Sequence, residues 1–136
     1  IPGDLQDIYR LICELENDTL DYKTFAQIYA QNLNSPYCFY TIAAIEDKII
    51  GFISTQVQQL LHHCGPVAEV QEFYIDQDYR GKGIGRLLMD EVKGYAKENK
   101  IKSLEVTSNK KRQENVQVYE SLGFKLTHNK FTMNCL

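Results

Sequence analysis

Several common functional signatures are missing from this sequence of 136 residues. The four cysteines are widely spaced and include no CxxC pair, so neither a zinc site nor a redox motif is indicated. No apolar stretch approaches the roughly 20 residues that span a bilayer, and the N-terminal residues do not resemble a signal peptide. We therefore expect a cytoplasmic protein with free thiols and no membrane partner.

An excess of positive charge is also lacking. The formal net charge is -3 at pH 7, which argues against a broad electropositive face and hence against a nucleic-acid partner. A local basic pocket for a small anion is still compatible with this charge. The sequence has no internal repeat or low-complexity tract, so we expect a single domain over residues 1–136 with one principal site. The residues do not decide between a monomer and a homodimer.

What the sequence does contain is an alternation of helical and strand patterns. The predicted elements are helices at Asp4–Glu16 and about 22–32, strands Tyr37–Ile45, Ile49–Leu61 and Val67–Ile75, helix Ile84–Asn99, a short strand within "KSLEVTS", helix Glu114–Leu122 and a closing strand Phe124–Leu136. This order predicts a mixed α/β (α+β) fold, with a mostly antiparallel central sheet flanked by helices.

A glycine-rich corner, Arg80-Gly81-Lys82-Gly83-Ile84-Gly85-Arg86, stands between a predicted strand and a predicted helix. A helix N-terminus carries about half a positive charge and unpaired N–H groups, and glycine lets the backbone close on a phosphate. The corner is therefore a candidate anion site. The alternatives are a turn without a ligand and a dinucleotide loop, although that loop requires GxGxxG where this corner has GxGxG; a P-loop is excluded because GxxxxGK[ST] is absent.

The R-x-x-G-x-G pattern of this corner follows a strand that ends in "FYID" and precedes a helix, a strand and "VYESLGF" (118–124). This arrangement resembles the pyrophosphate-binding signature of the GNAT superfamily of N-acetyltransferases, over nearly the whole chain. The resemblance implies the GNAT fold, acetyl-CoA as co-substrate, and acetyl transfer to the primary amine of a small molecule. Family members usually begin with a strand before the first helix, so it also implies that this chain starts after that first strand.

The same resemblance implies roles for individual residues. The donor-binding groups would be the backbone of Phe73, Tyr74 and Ile75, which pairs with the pantetheine arm and the acetyl carbonyl, and the corner residues Arg80, Gly81, Lys82, Gly83, Ile84, Gly85 and Arg86 at the pyrophosphate, with Asn109 and Arg112 as further contacts. Tyr119 matches the family tyrosine that protonates the departing thiolate. The alternative for Tyr119 is a core tyrosine that fixes its helix.

The acceptor amine must lose a proton, and Glu69 and Glu72 are the candidate bases. Glu69 matches the common base position of the family, and Glu72 is the second candidate; solvated carboxylates at a strand edge are the alternative. Their spacing predicts opposite facing unless a bulge intervenes. An ordinary glutamate, with a pKa of about 4.3, is a poor base for an ammonium group with a pKa of about 10.4. A water relay, a raised glutamate pKa or a metal-bound amine would be needed.

Three further stretches narrow the resemblance. "LICELE" (11–16), "LHHCG" leading to "AEVQE" (61–72) and "SNKKRQENVQVYE" (108–120) look like the aminoalkylphosphonate N-acetyltransferases of bacterial phosphonate operons. That family implies an amine acceptor bearing a phosphonate, which would meet the basic cluster Lys110, Lys111 and Arg112 unless this cluster is a solvated loop or contacts the cofactor. The rival acceptors are a polyamine, an aminoglycoside or a protein amine. The rival from another class is a non-catalytic acyl-CoA-binding sensor.

A divalent metal ion is a further implication of that family. His62 and His63 are the candidate ligands, with Glu69 and Glu72 across the same hairpin. Imidazole and carboxylate groups together suit a transition metal. The alternative is that the paired histidines are polar surface at the end of a hairpin.

Overall fold

The computed structural model describes residues 4–109 and 114–136. Its elements are α1 (Asp4–Glu16), α2 (Tyr22–Leu33), β1 (Cys38–Ile45), β2 (Lys48–Leu60), β3 (Gly65–Ile75), α3 (Ile84–Glu98), β4 (Ser103–Val106) and α4 (Glu114–Ser121), with short 3-10 turns before and after β3. The bounds differ from the predicted ones by one or two residues, apart from the closing strand. No helix in the described part of the chain is long and apolar enough to cross a membrane.

The four strands form one sheet in the order β1-β2-β3-β4. The β1–β2 and β2–β3 pairs are antiparallel and the β3–β4 pair is parallel, so the predicted mixed, mostly antiparallel sheet is confirmed. The parallel ladder ends at the pair Val70–Val106, whereas β2 pairs with β3 as far as Ile75. Among the described residues, Gln71–Ile75 therefore has a strand partner on one side only. We call Gln71–Ile75 the free half of β3 and Val67–Val70 its paired half.

Helices cover both faces of the sheet. On the α1 face, which α1 and α2 cover, the core consists of Ile8, Leu11, Ile12, Tyr29, Ile49, Phe52 and Tyr74. On the α3 face the core consists of Ile53, Val70, Leu88, Met89, Val92 and Leu122. Neighbouring strand residues divide between the two faces, as the two-residue period of a strand requires.

A polar network ties α1 to the ends of β2 and β3. Arg10 donates to the Asp76 carboxylate at 3.1 Å and to the Ile49 carbonyl at 3.3 Å. Asp76 is 6% exposed and also accepts a hydrogen bond from the Asp78 N–H at 3.0 Å. The Asp78 N–H, with help from the Arg10 guanidinium and the charge of Lys48, holds the pKa of Asp76 below its ordinary value. The first helix is therefore attached to the sheet by a charged aspartate.

The predicted closing strand Phe124–Leu136 is wrong. Phe124 packs against Tyr119, with 5.9 Å between ring centroids, but residues 125–136 are exposed and have no regular secondary structure. Phe131 is 92% exposed and Met133 is 85% exposed. The alternation of apolar residues in this segment favours a strand, yet a strand also needs a neighbouring edge to pair with. In the described residues the sheet ends at β4 and the segment joins no ladder.

Candidate active site

The glycine-rich corner leads from β3 into the first turn of α3. Gly81 has a φ of +77° and Gly83 a φ of +80°, both in the left-handed region that favours glycine. Gly83 is the N-cap residue of α3. A Cβ placed on either glycine would have no heavy atom within 4 Å. The backbone thus requires glycine here and faces open space.

The first turn of α3 presents unpaired N–H groups to that space. Its first helical hydrogen bond runs from the Leu87 N–H to the Gly83 carbonyl at 3.1 Å, so the first three N–H groups of the helix have no acceptor within it. Lys82 is exposed beside them, with its Nζ 5.4 Å from the centroid of the Tyr79 ring. Aligned N–H groups, the positive end of the helix dipole and a lysine together suit a phosphate-type anion.

The two arginines of the corner contact neighbouring elements. Arg80 Nε donates to the Ile75 carbonyl at 3.0 Å, and its guanidinium lies 4.9 Å from the centroid of the Tyr74 ring. Arg86 donates to the Ser121 carbonyl at 3.2 Å, which links α3 to the end of α4. Both side chains hold the corner in place against β3 and α4.

Three predicted site residues meet at the free half of β3. The rings of Phe73 and Tyr119 are 6.3 Å apart between centroids. Gly85 is so close to the strand that a Cβ there would lie 3.2 Å from Phe73 Cζ. The free half of β3, the first turn of α3 and α4 therefore pack together at Phe73, and backbone groups of the free half without a strand partner can bond a ligand that lies along this edge.

Two other residues, Asn109 and Arg112, were predicted to contact the donor. Asn109 is exposed and follows β4 by three residues. Arg112 lies outside the described residues, as do Lys110 and Lys111. The basic cluster predicted for a phosphonate or a cofactor phosphate thus has no described position.

A β-bulge marks the start of the free half. The register between β2 and β3 shifts so that Ser54 pairs with Glu72 while the next residue, Thr55, pairs with Val70. Gln71 is left without a counterpart on β2. An extra residue of this kind reverses the alternation of side chains along the strand.

The bulge places both candidate bases on the same face. Glu69 pairs with Gln56 and Glu72 with Ser54, two positions apart on β2, so both carboxylates point to the α1 face. Glu105 on β4 pairs with Glu69 and joins them there. The opposite facing expected for an unbroken strand does not hold. This side of the site carries three carboxylates in neighbouring positions.

Local hydrogen bonds orient these carboxylates differently. The Ser54 hydroxyl donates to the Glu72 carboxylate and accepts from the Glu72 N–H at 3.1 Å. Glu69 accepts from the Gln71 amide at 2.8 Å. Tyr40 lies opposite Ser54 on β1, and burial, with a smaller contribution from the charge on Glu72, raises the pKa of its phenol. The row Tyr40–Ser54–Glu72 therefore crosses three strands of the sheet.

The predicted metal ligands do not assemble into a site. The rings of His62 and His63 are 4.4 Å apart, and His63 Nε2 lies 4.0 Å from a Glu105 oxygen. Within residues 4–109 and 114–136, however, no group of three His, Cys, Asp or Glu side chains could hold a metal ion. Glu69 and Glu72 are hydrogen-bonded to other partners. The described residues do not fit a divalent cation, and we assign no step of the chemistry to one.

Sequence reasoning did not place Tyr40, Ser54 and Glu105 beside the candidate bases. The signal for Ser54 was the change from the apolar stretch "IIGFI" to the polar residues Ser54-Thr55-Gln56 within one predicted strand. Glu105 could be placed only through the register of β3 and β4, which local patterns do not encode.

The comparisons with known proteins agree with this geometry. The sequence profile of the acetyltransferase (GNAT) family matches residues 4–124. The aminoalkylphosphonate N-acetyltransferase of Salmonella typhimurium is 33% identical over 129 residues, which cover 95% of this chain and 84% of that protein.

Two solved structures illustrate the likeness of fold. A transcriptional regulator from Bacillus halodurans has a TM-score of 0.91 at 20% identity, covering 99% of this chain and 95% of that chain. The structure of AAC(6')-Iy in complex with the bisubstrate analog CoA-S-monomethyl-acetylneamine has a TM-score of 0.84 at 16% identity, covering 97% and 91%. At these identities the likeness shows the fold alone.

Proposed function

The chain belongs to the acetyltransferase (GNAT) family and is an N-acetyltransferase, and on that premise we propose that it acetylates the primary amine of an aminoalkylphosphonate. Acetyl-CoA is the acetyl donor of this family. The observation that carries the choice of acceptor is the 33% identity to the Salmonella enzyme over 95% of the chain. The free half of β3 and the glycine-rich corner support the donor site.

The donor would lie along the free half of β3 at Phe73. Those backbone groups of Phe73, Tyr74 and Ile75 that are bonded neither to β2 nor to Arg80 would take the hydrogen bonds of the pantetheine arm and the acetyl carbonyl, much as an added strand does. The N–H groups from Gly81 to Arg86 would bind the pyrophosphate. The open space outside Gly81 and Gly83 supports this assignment.

The reaction would be direct attack in a ternary complex. The amine nitrogen attacks the thioester carbonyl carbon, a C–N bond forms, and the C–S bond breaks. Glu69 or Glu72 would assist removal of the amine proton from the α1 face, directly or through water, and Tyr119 would protonate the thiolate from the other side of the strand. An ordinary tyrosine, with a pKa of about 10, gives a proton to a thiolate of pKa about 8.5 at a cost of about 2 kcal/mol.

An assay of thiol release from acetyl-CoA tests this function. We expect turnover with 2-aminoethylphosphonate or aminomethylphosphonate, and kcat/KM at least about 100-fold lower with ethylamine or methylamine, which lack the phosphonate. Turnover with the alkylamines alone would contradict the acceptor assignment. Tight binding of acetyl-CoA without turnover of any amine would instead favour a sensor.

The α1 face of the site favours a second candidate acceptor, a polyamine. Glu69, Glu72 and Glu105 lie side by side on this face, and two of them are paired directly across the β3–β4 ladder. Neighbouring carboxylates attract cations, and a polyamine offers several positive charges where an aminoalkylphosphonate offers one together with an anion. Spermidine is therefore the informative competitor in the same assay. A higher kcat/KM for spermidine than for either phosphonate would decide for the polyamine.

We also propose that the protein acts in the cytoplasm. All four cysteines are free thiols, which is typical of proteins kept in a reducing compartment. Fractionation of cells that express the full-length protein with a C-terminal tag would check this; recovery in a secreted or membrane fraction would contradict it.

A further inference from the structure

We propose that Ser54 is a positioning residue of the acetyl-transfer site, which fixes the Glu72 carboxylate on the α1 face so that it can receive the amine proton. This inference rests on the proposed function, because it requires an acceptor that loses a proton. It selects Glu72, of the two candidate bases, as the one that is held in place before the substrate binds.

Ser54 makes both of its contacts to a single residue. Its side chain is in the sheet interior and the residue is only 3% exposed. The hydroxyl accepts from the Glu72 N–H at 3.1 Å and donates to Oε1 of the same residue. A serine hydroxyl has one donor, so that donor is committed to the carboxylate. One carboxylate oxygen is held by this bond, and the second oxygen is left to contact a substrate or a water molecule.

The position of Ser54 at the bulge gives these contacts a second effect. The bulge at Gln71 turns Glu72 to the α1 face, and bulges commonly re-aim a side chain near a functional site. The Ser54 hydroxyl bonds the backbone N–H of Glu72, and it therefore holds the backbone of β3 immediately after the bulge. The same hydroxyl therefore sets the direction of the strand and the direction of the carboxylate.

Glu69 is held less firmly. Its carboxylate accepts from the side chain of Gln71, an exposed residue two positions away. An exposed contact between two flexible side chains contributes little to their order. Glu72, by contrast, lies next to buried Ser54, which separates it from half-buried Tyr40 on β1. Burial raises the pKa of the Tyr40 phenol, so the residue on the far side of Ser54 stays neutral.

The experiment is a double-mutant cycle on the full chain with the best amine found in the thiol-release assay. Ser54→Ala should lower kcat about tenfold, while the Kd of acetyl-CoA, measured by calorimetry, stays within about twofold. Ser54→Thr keeps the hydroxyl and should restore most of kcat. In a Glu72→Gln background, Ser54→Ala should have less than about a twofold further effect. Thr55→Val, which removes a hydroxyl from the next residue on the opposite face, is the matched control and should leave kcat unchanged.

Three results would overturn the positioning role. One is wild-type kcat in Ser54→Ala. Another is an equal loss of kcat from Ser54→Ala in the wild-type and Glu72→Gln backgrounds, which would mean that the serine acts through the fold; thermal unfolding of each variant shows whether the fold has changed. The third is a wild-type protein that acetylates no amine. That result also removes the proposed function, and it is recognised in the wild-type assay before any variant is compared.

Discussion

The two halves of β3 differ in how their backbone is satisfied. Val67–Val70 pairs with strands on both sides, and three of its four side chains are almost fully buried. Gln71–Ile75 begins at a bulge, where Gln71 has no counterpart on β2, and from Glu72 onward it pairs with β2 alone. One strand thus contributes core packing at one end and, in the proposed function, ligand-binding groups at the other. The proposed donor site depends on the β3–β4 ladder ending at Val70.

Side chains bond the backbone at both ends of the free half. Ser54 bonds the backbone at the start of the free half, and Arg80 donates to the Ile75 carbonyl at its end. Immediately beyond, Asp76 accepts from Arg10 of α1. Substitution of individual side chains can therefore test how the two halves of β3 differ.

The largest effect on stability is expected at Asp76, which follows the free half and attaches α1 to the sheet through Arg10. Asp76→Ala should lower the free energy of unfolding by about 3 kcal/mol, because the substitution removes charge-assisted hydrogen bonds from a buried position. Urea denaturation measures it. Asp78→Ala is the control, since it keeps the backbone N–H and removes only an exposed carboxylate, and it should cost less than about 0.5 kcal/mol. Equal losses in the two variants would contradict the anchoring role of Asp76.

The same anchor predicts a pH dependence. The Asp78 N–H and the Arg10 guanidinium lower the pKa of Asp76 from its ordinary value of 3.8. A carboxyl group with a depressed folded pKa stabilises fully above its unfolded pKa, and this contribution is lost as the pH falls through the folded pKa. Below about pH 4, the free energy of unfolding should fall more steeply in the wild type than in Asp76→Ala. Parallel profiles would show that Asp76 is not responsible.

The next effect concerns the residue that faces Phe73 of the free half. Tyr119→Phe should lower kcat about 100-fold, or about 2.7 kcal/mol in activation free energy, because the phenol proton is lost while the ring packing is kept. The Kd of acetyl-CoA should not change. Tyr95→Phe, whose ring lies 4.0 Å from Phe39 on β1, is the control with unchanged kcat. Full activity of Tyr119→Phe would leave Tyr119 as a packing residue.

A smaller effect is expected at the glycine-rich corner. Gly83→Asn should weaken acetyl-CoA binding about tenfold, or about 1.4 kcal/mol, because asparagine tolerates the left-handed backbone but its side chain enters the open space outside the helix. Gly94→Ala, in the middle of the same helix with no atom near the added Cβ, should leave binding unchanged. Calorimetry measures both. Equal affinity in the two variants would place the pyrophosphate elsewhere.

The smallest effect is expected at Thr55 of β2, which lies opposite the paired half of β3. Thr55 lies opposite Val70, is fully buried, and its hydroxyl has no hydrogen-bond partner in the part of the chain that the structure describes. Thr55→Val should raise the free energy of unfolding by about 1 kcal/mol, because a methyl group replaces an unsatisfied hydroxyl of similar shape. Thermal unfolding measures the change. A less stable Thr55→Val would mean that the hydroxyl finds a partner in solution.

Local patterns predicted the elements well. The apolar stripe of α1 gave its full range, and the glycines at 81 and 83 marked the entry to α3, where the backbone has positive φ. These features depend on neighbours in sequence. The roles proposed for Glu69, Glu72 and Tyr119 stay predictions.

Features that depend on strand register were not predictable. The bulge at Gln71, the end of the ladder at Val70 and the bond from Ser54 to Glu72 arise from pairing between strands that are distant in sequence. Segment 124–136 shows the converse error, since its alternation is typical of a strand but it pairs with none of the strands in the described part of the chain. The adjacent histidines at 62 and 63 likewise suggested a metal site, but the described residues bring no third ligand to them.

The free half of β3 is also an edge to which another polypeptide strand could add. An unpaired strand edge can pair with another chain, and this protein has an exposed segment without regular secondary structure that includes Phe131 and Met133. The bulge at Gln71 interrupts the regular spacing that a foreign strand would need for continuous pairing, and the free half extends only to Ile75. Irregularity at this edge therefore selects against self-association while leaving room for a short, flexible ligand.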